Sequence, residues 1–226
     1  MINADNVPKL LAVIIPLSDS ARFEELLNEK NARHTVLVNA LGTASSEFID
    51  VLGLSGTEKT LFVCAVAKPN VPPLLTAVTE RFELRKPGRG IAFVLPASAM
   101  NAVLAESVAA GAGETVNGGE YTMSEERFEL ILAIIKQGYS DKLMNAARGA
   151  GARGGTVFHA RGTASVGDEK FHGISVQPEK EIVSIIAPKA IRRAIMDALS
   201  ESCGAGTEAA GVFVSVPIEQ CVGISG

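Results

Sequence analysis

Short apolar runs alternate with amphipathic stretches in the first hundred residues of this chain. Four runs rich in β-branched side chains are typical of buried strands and span residues 10–15, 35–38, 61–67 and 91–95. Apolar residues recur at helical spacing after residue 20 and after residue 71, with Asp19 and Asn70 as expected N-caps. The order strand-helix-strand-strand-helix-strand predicts the βαββαβ, or ferredoxin-like, unit: an antiparallel sheet with both helices on one face.

The same order returns 120 residues later. Gly42-Thr43-Ala44-Ser45 recurs as Gly162-Thr163-Ala164-Ser165, and 15 of the 60 positions from 10 to 69 are identical at this offset. Unrelated segments share about 6% of their positions, so the identity indicates an internal duplication. Solenoid repeats have periods of about 20–50 residues, so a period of this length indicates that a whole domain was duplicated. We therefore predict two tandem ferredoxin-like α+β domains with antiparallel sheets, at residues 1–110 and 127–226, joined by a polar, Gly-rich linker at residues 111–126.

Each repeat has a long segment rich in Gly, Ser, Thr and charged residues between its second and third strands. These segments, residues 42–59 and 162–180, predict mobile loops. Residues 97–108 follow Pro96 and predict a short additional helix. The sheet face that the helices leave uncovered predicts self-association, because large exposed apolar patches are uncommon on monomers.

Composition excludes several classes of function. A net charge of −4 and a pI near 5.5 argue against nucleic-acid binding. The three cysteines have no CxxC spacing and indicate reduced thiols in the cytoplasm. No secretory signal is expected, and the apolar window 91–110 contains Asn101 and Glu106, which disfavour a membrane span.

Four segments of the second repeat, taken in order, resemble the P-II nitrogen-regulatory family of signal-transduction proteins. They are the strand at 128–136, the Gly-Gly-Thr-Val run at 154–157 with Arg161 and Gly162, the strand at 180–188, and the strand at 211–219. The ordered series covers nearly the whole second repeat. The first repeat, more diverged, shares the resemblance through the duplication.

The resemblance implies a ferredoxin-like subunit that assembles as a trimer and is not an enzyme. Small effectors, usually the adenine nucleotides ATP, ADP or AMP, bind in clefts between subunits of that family. The long loop, called the T-loop, then regulates a target enzyme, membrane transporter or transcription factor. Because each chain supplies two domains, we expect a homotrimer in which like repeats form two stacked rings.

The resemblance also implies a set of ligand-binding residues. In the second repeat these are the strand-two threonine Thr156, the loop base Gly162, Thr163 and Ala164, and the turn residues Gly204, Gly206, Thr207 and Gly211. In the first repeat they are Gly42 and Thr43 with the turn residues Gly88, Arg89 and Gly90. The first repeat has Val36 in place of the threonine.

Three departures from the family weaken the expected nucleotide site. The lysine that ends the family's Gly-rich turn is replaced by Gly211 or Val212 and by Gly90, and its two C-terminal arginines fall near Gly223 and Ser225. Loss of three charge-assisted hydrogen bonds is worth roughly 4–9 kcal/mol of binding. Arg85, Lys86 and Arg89, or Arg161 in the second repeat, are possible substitutes, although solvated loop charges are the plainer interpretation. The T-loop also lacks the family's tyrosine.

Other chemistries have weaker support. His159, Asp168, Glu169 and His172 have irregular spacing for a metal site, and no nucleophile-base arrangement is evident. We predict no metal and no certain cofactor. A small ferredoxin-like enzyme and a ligand-free assembly module remain the alternatives to a regulatory protein.

Overall fold

The computed structural model describes residues 8–30, 35–43, 58–97, 108, 128–161, 170–171, 174–175 and 179–224. The predicted linker at 111–126 lies outside these residues, as do most of the predicted helix at 97–108 and the loop-base residues Gly162, Thr163 and Ala164. The part that is described is a mixed α+β protein, in agreement with the α+β class predicted from the sequence.

Eleven strands and four helices occur in the described part of the chain. The strands are β1 (Lys9–Pro16), β2 (Thr35–Gly42), β3 (Glu58–Val66), β4 (Ile91–Leu95), β5 (Phe128–Lys136), β6 (Thr156–Arg161), β7 (Lys170–Phe171), β8 (Ile174–Ser175), β9 (Glu179–Pro188), β10 (Val212–Pro217) and β11 (Gln220–Val222). The helices are α1 (Ser20–Glu29), α2 (Val71–Arg81), α3 (Ser140–Gly149) and α4 (Arg192–Cys203). No helix among the described residues is long and apolar enough to cross a membrane.

The chain divides into two compact units that do not coincide with the two sequence repeats. The first unit comprises Met1–Asn39, Gly56–Phe128 and Pro217–Gly226. The second comprises Ala40–Ser55 and Glu129–Val216. The end of β2 therefore belongs to the second unit, and the C-terminal segment belongs to the first.

The first unit has the strand order β2-β3-β1-β4-β11. β1 pairs antiparallel with β3 from Lys9 opposite Val66 to Pro16 opposite Lys59, and its other edge pairs antiparallel with β4. Residues 11–15 are all buried, so both faces of β1 are covered, which explains why the strand is a continuous apolar run and not an alternating one. The C-terminal strand β11 pairs antiparallel with β4 and places Cys221 opposite Phe93.

An aromatic cluster fills the core of the first unit between sheet and helices. The ring of Phe23 on α1 lies 4.6 Å from that of Phe62 on β3 and 5.4 Å from that of Phe82, which follows α2. All three side chains are buried. Tilted and edge-to-face pairs at these spacings are the favourable arrangements for aromatic rings.

The expected side-chain caps of the first two helices are not formed. Asp19 and Asn70 stand at the N-cap positions, but neither side chain makes a capping hydrogen bond. Each residue ends a short 3₁₀ turn and has helical φ and ψ, whereas a capping side chain requires an extended N-cap residue. The Asp19 carboxylate instead pairs with Arg89, at 3.4 Å.

In the second unit the strand order is β10-β5-β9-β6-β2. Alternate residues of β5, Ile131, Ala133 and Ile135, are fully buried and belong to the same core as residues of α3 and α4. Glu129, two residues before Ile131 in this alternation, is also buried; it accepts hydrogen bonds from Arg192 at 3.1 and 3.2 Å and from Ser215. The buried carboxylate is thereby compensated.

Two predicted loops contain more regular structure than the sequence indicated. β2 extends to Gly42, so the first loop starts after Thr43, because the end of β2 pairs with β6. Within the predicted loop at 162–180, β7 and β8 pair antiparallel, with Phe171 opposite Ile174, and β9 already begins at Glu179.

Candidate functional site

Thr156 lies at the start of β6, directly opposite Gly42 at the end of β2. These two strands pair antiparallel there, with Leu41 opposite Val157. On its other side, Thr156 lies opposite Ser184 of β9, and its side chain is buried. The second unit therefore brings together the predicted site residues Gly42 and Thr156, which come from different repeats.

Thr43 fixes this junction through three hydrogen bonds to one residue, Gly155. Its backbone N–H donates to the Gly155 carbonyl at 2.9 Å, and its hydroxyl donates to the same carbonyl at 2.9 Å. The Gly155 N–H donates to the Thr43 hydroxyl oxygen at 2.7 Å. The last described residue before the first loop is thus held next to Thr156.

Arg148, in the last turn of α3, adds a positive charge at the same place. Its guanidinium donates to the carbonyl of Thr43 and, at 3.4 Å, to the side-chain oxygen of Asn145. The side chain is exposed, so an anionic ligand could reach it from solvent. Sequence reasoning did not select Arg148, because one arginine near the end of a helix is an ordinary surface residue.

Gly155 is a second residue that the prediction left out. A Cβ atom at this position would lie 2.9 Å from the carbonyl oxygen of Ser184 and 3.0 Å from the sulfur of Met144. Only glycine fits there without displacement of a neighbour. The Gly154-Gly155-Thr156 run was the available signal, since paired glycines before a strand often mark a close backbone approach.

The predicted turn of the second repeat is closed by its own hydrogen bonds. The Thr207 hydroxyl donates to the Gly204 carbonyl at 2.8 Å, and the Gly211 N–H donates to the Cys203 carbonyl at 2.8 Å. A Cβ atom on Gly204 or Gly211 would lie 2.3 or 2.2 Å from a carbonyl oxygen of α4. Close backbone packing therefore accounts for both glycines, whereas Gly206 has open space around it.

The charged side chain of this turn is acidic and not basic. Glu208 accepts a hydrogen bond from the Tyr139 hydroxyl at 3.1 Å, and that bond raises the pKa of Tyr139. The turn has no cationic side chain, so it offers no substitute for the missing lysine.

The turn and Thr156 lie at opposite ends of the strands in the second unit. The Lys136 N–H donates to Ala209 of the turn, and the neighbouring Gln137 N–H donates to Glu179. Glu179 is opposite Arg161, the last residue of β6, whereas Thr156 is the first. Five residues of strand span about 17 Å. One chain therefore does not bring the predicted threonine and the predicted turn of the second repeat together.

The predicted turn of the first unit contains a small charged cluster. Arg89 lies 3.4 Å from Asp19, and the Lys59 ammonium group donates to the Gly88 carbonyl at 3.3 Å. Burial lowers the pKa of Lys59, and the charge of Arg89 lowers it further, against the opposing effect of Asp19. A Cβ atom on Gly90 would lie 2.5 Å from the Ile14 carbonyl oxygen, so this glycine too is required by the packing of the protein.

The candidate metal ligands are mostly outside the described residues. Of His159, Asp168, Glu169 and His172, the structure describes His159, which is exposed. Within the described ranges, no three His, Cys, Asp or Glu side chains are grouped to hold a metal ion.

No protein-family model and no curated protein matches the chain. Among solved structures, the chain is similar to a crystal structure of Arabidopsis thaliana PII bound to citrate. The two are 20% identical, and the match covers 41% of this chain and 76% of that chain with a TM-score of 0.32. A TM-score of 0.32 is too low to establish a shared fold.

Proposed function

We propose that this chain is a P-II-like signal-transduction protein and not an enzyme. It consists of two ferredoxin-like domains at residues 1–110 and 127–226, joined by the linker at 111–126, and it acts in the cytoplasm. A small effector, an adenine nucleotide, binds beside Thr156 and changes the segments that follow Gly42 and Gly162. Those segments then regulate a partner enzyme or a membrane transporter.

One observation carries the proposal: the base of the first loop is hydrogen-bonded directly beside Thr156. Thr43 is held by Gly155, and Thr156 is the next residue in the chain. A ligand that contacts Thr156 or its neighbours changes the surroundings of Thr43 without any intermediate element. Binding at the strand is therefore coupled to the first loop by contact, which is what a sensor requires.

The separation of Thr156 from the turn at 204–211 supports a site between subunits. A ligand that contacts a threonine at one end of β6 and a Gly-rich turn at the other end must bridge two chains, because about 17 Å separates these ends within one. A homotrimer of two-domain chains supplies such clefts. The turn residues 88–90 and 204–211 include no lysine, and Arg89 is the one cationic residue that they contain.

The nucleotide affinity should be modest and should depend little on the number of phosphates. Phosphate groups gain affinity mainly through charge-assisted hydrogen bonds, worth about 1.5–3 kcal/mol each. Arg148 is the exposed cation fixed beside Thr43, and the turn of the second unit has none. We therefore expect dissociation constants for AMP, ADP and ATP within about tenfold of one another.

Isothermal titration calorimetry with AMP, ADP and ATP tests the proposal on the full chain. Thr156→Val keeps the shape of the buried side chain and removes its hydroxyl, so it should weaken binding about tenfold, the value of one hydrogen bond. Thr76→Val, which removes a hydroxyl that donates to the Pro72 carbonyl within helix α2, is the matched control and should bind as wild type does. Equal affinity in Thr156→Val and wild type, or no heat from any nucleotide at millimolar concentration, would refute nucleotide sensing at this site.

A further inference from the structure

We propose that Lys59 is a site of acylation by acyl phosphates, and that Arg89 binds the phosphate group of the reagent. The product is an amide on the side chain of the second residue of β3. The modification goes beyond effector sensing, needs no nucleotide, and does not rest on the effector site proposed beside Thr156.

Three segments of the first unit bring charged groups to one end of its sheet. Lys59 lies opposite Pro16, where β3 begins and β1 ends. Asp19 ends the 3₁₀ turn that follows β1. The turn before β4 carries Arg89, and the next residue, Gly90, packs closely against the backbone of β1. Strand pairing and this close packing therefore hold the three charged side chains at the same end of the sheet.

The amine of Lys59 lies at the surface of this turn. The side chain is half-buried, and its ammonium group donates to the Gly88 carbonyl at 3.3 Å. Gly88 is exposed, and a Cβ atom built on it would have no neighbour within 4 Å. A small solute can therefore approach the amine from the side of Gly88.

The surroundings of Lys59 make its amine a better nucleophile than that of an exposed lysine. Burial lowers the pKa of Lys59, and the charge of Arg89 lowers it further, against the opposing effect of Asp19. Only the neutral amine attacks a carbonyl group, and lysines that are desolvated or lie beside a second cation are the activated ones. At a given pH, more of Lys59 than of an ordinary lysine is therefore in the reactive form.

Arg89 retains hydrogen-bonding capacity for an anionic reagent. One of its terminal nitrogens lies 3.4 Å from the Asp19 carboxylate, and its side chain is 36% exposed. Its Nε–H has no hydrogen-bond partner among the described residues, so no bond from that group resists a small reorientation of the guanidinium. Guanidinium groups bind phosphate oxygens through two parallel N–H bonds. Arg89 beside the amine therefore favours an acyl donor that carries a phosphate.

The reaction transfers an acyl group and involves no oxidant or reductant. The neutral amine of Lys59 attacks the acyl carbon, a C–N bond forms, and the C–O bond to phosphate breaks. Inorganic phosphate leaves with the electron pair of that bond, and the nitrogen loses one proton to water. Arg89 stabilises the negative charge of the departing phosphate. The amide keeps one N–H for the Gly88 carbonyl and removes one positive charge from the start of β3.

Acetyl phosphate is the probe for the first test, which uses the wild-type full chain at pH 8. Mass spectrometry of peptides follows the acetylation of each lysine with time. Lys59 should be acetylated at least about fivefold faster than Lys86 and Lys142, which are exposed. Acetylation of Lys59 at the same rate as these two lysines, or more slowly, would overturn the proposal. This test needs no variant, so it does not depend on the folding of one.

The second test separates binding of the phosphate from reactivity of the amine. Acetic anhydride acetylates amines but carries no phosphate, so removal of the Arg89 charge changes the reactivity of Lys59 toward both reagents, whereas it removes phosphate binding for acetyl phosphate alone. In Arg89→Gln, the rate at Lys59 should fall at least about tenfold more with acetyl phosphate than with the anhydride, the value of one charge-assisted hydrogen bond.

Arg193→Gln is the matched control for this comparison. Arg193 has a side chain that is 89% exposed on α4, where it pairs with Asp197, and it lies outside the cluster. Both rates at Lys59 should stay at their wild-type values in this variant. Equal losses with the two reagents in Arg89→Gln would show that Arg89 does not bind the phosphate, and would overturn the assignment of acyl phosphates as the reagent.

Discussion

Thr43 and Gly155 are 112 positions apart in the chain, yet three hydrogen bonds join them. Two of the bonds use the Thr43 hydroxyl, which donates to the Gly155 carbonyl and accepts from the Gly155 N–H. The contact fixes where the first loop starts. It also explains why the end of β2 belongs to the second unit although the rest of that strand belongs to the first.

Thr43→Val should destabilise the second unit because it removes both side-chain bonds and leaves the Gly155 N–H without its acceptor. At about 0.5–1.5 kcal/mol per bond, the free energy of unfolding should fall by about 1–3 kcal/mol in urea titrations. Thr43→Ser retains the hydroxyl and should lose less than half as much. Equal losses in the two variants would show that the methyl group, and not the hydroxyl, stabilises the junction.

The sequence predicted elements whose packing depends on side-chain pattern. The apolar run of β1, the stripe of α1 and the repeat of both after 120 residues all follow from burial on fixed faces. The Thr43–Gly155 contact could not be predicted in this way, because Gly155 contributes only its backbone. Arg148 was missed for a related reason: its partner is a carbonyl group, which every residue has.

The predicted helix N-caps were wrong for a different reason: the residue type suits a cap, but the side chain has another role. Asp19 stands at the N-cap of α1, but a 3₁₀ turn gives it helical backbone angles and its carboxylate pairs with Arg89. The sequence contains both charges, yet 70 positions separate them and no periodicity relates a turn before β4 to a turn after β1. Pairings of this kind depend on topology, which the residue pattern specifies only indirectly.

Gly90→Ala and Gly88→Ala provide a matched test of the turn before β4. Gly90 has φ near +135°, and an added Cβ would lie 2.5 Å from the Ile14 carbonyl oxygen, so the substitution combines backbone strain with a clash. We expect a loss of roughly 3 kcal/mol or more in the free energy of unfolding. Gly88 has φ near +76° with open space around it, and its substitution should cost about 1–2 kcal/mol from strain alone. Similar losses for the two variants would contradict the close approach of Gly90 to β1.

The native thiols should react slowly with a disulfide reagent at pH 8. Burial raises the pKa of Cys64 to about 12 and that of Cys221 to about 12, and Cys203 has no exposed surface. The thiolate is the reactive form, so reaction with a disulfide reagent should be at least about 100-fold slower in the folded protein than in guanidinium. Rapid reaction of one thiol equivalent in the native state, abolished by Cys221→Ser, would instead indicate that β11 detaches from β4.

The final prediction concerns the stability of the second unit in acid. Burial raises the pKa of Glu129, but hydrogen bonds from Ser215 and Arg192, together with the charges of Arg192 and Lys189, outweigh burial and hold that pKa below its ordinary value. A carboxyl group whose pKa is lower in the folded state stabilises the fold above the pKa of the unfolded chain, about 4.3. That contribution is lost as the pH falls through the lower, folded pKa.

Glu129→Gln removes this titration and keeps the shape of the side chain. Between pH 5 and pH 7 the variant should be less stable than wild type by about 1.5–3 kcal/mol, the worth of hydrogen bonds to a charged group. The difference should shrink below about pH 4, where protonation of Glu129 makes wild type resemble the variant. Glu208→Gln, which alters an exposed carboxylate bonded to Tyr139, is the control and should leave the pH profile in this range nearly unchanged. A titrating ion pair must stop stabilising the fold once its carboxylate is neutral. A stability difference between Glu129→Gln and wild type that stays constant from pH 7 to pH 3 would therefore show that the ion pair with Arg192 does not cause the loss of stability in acid.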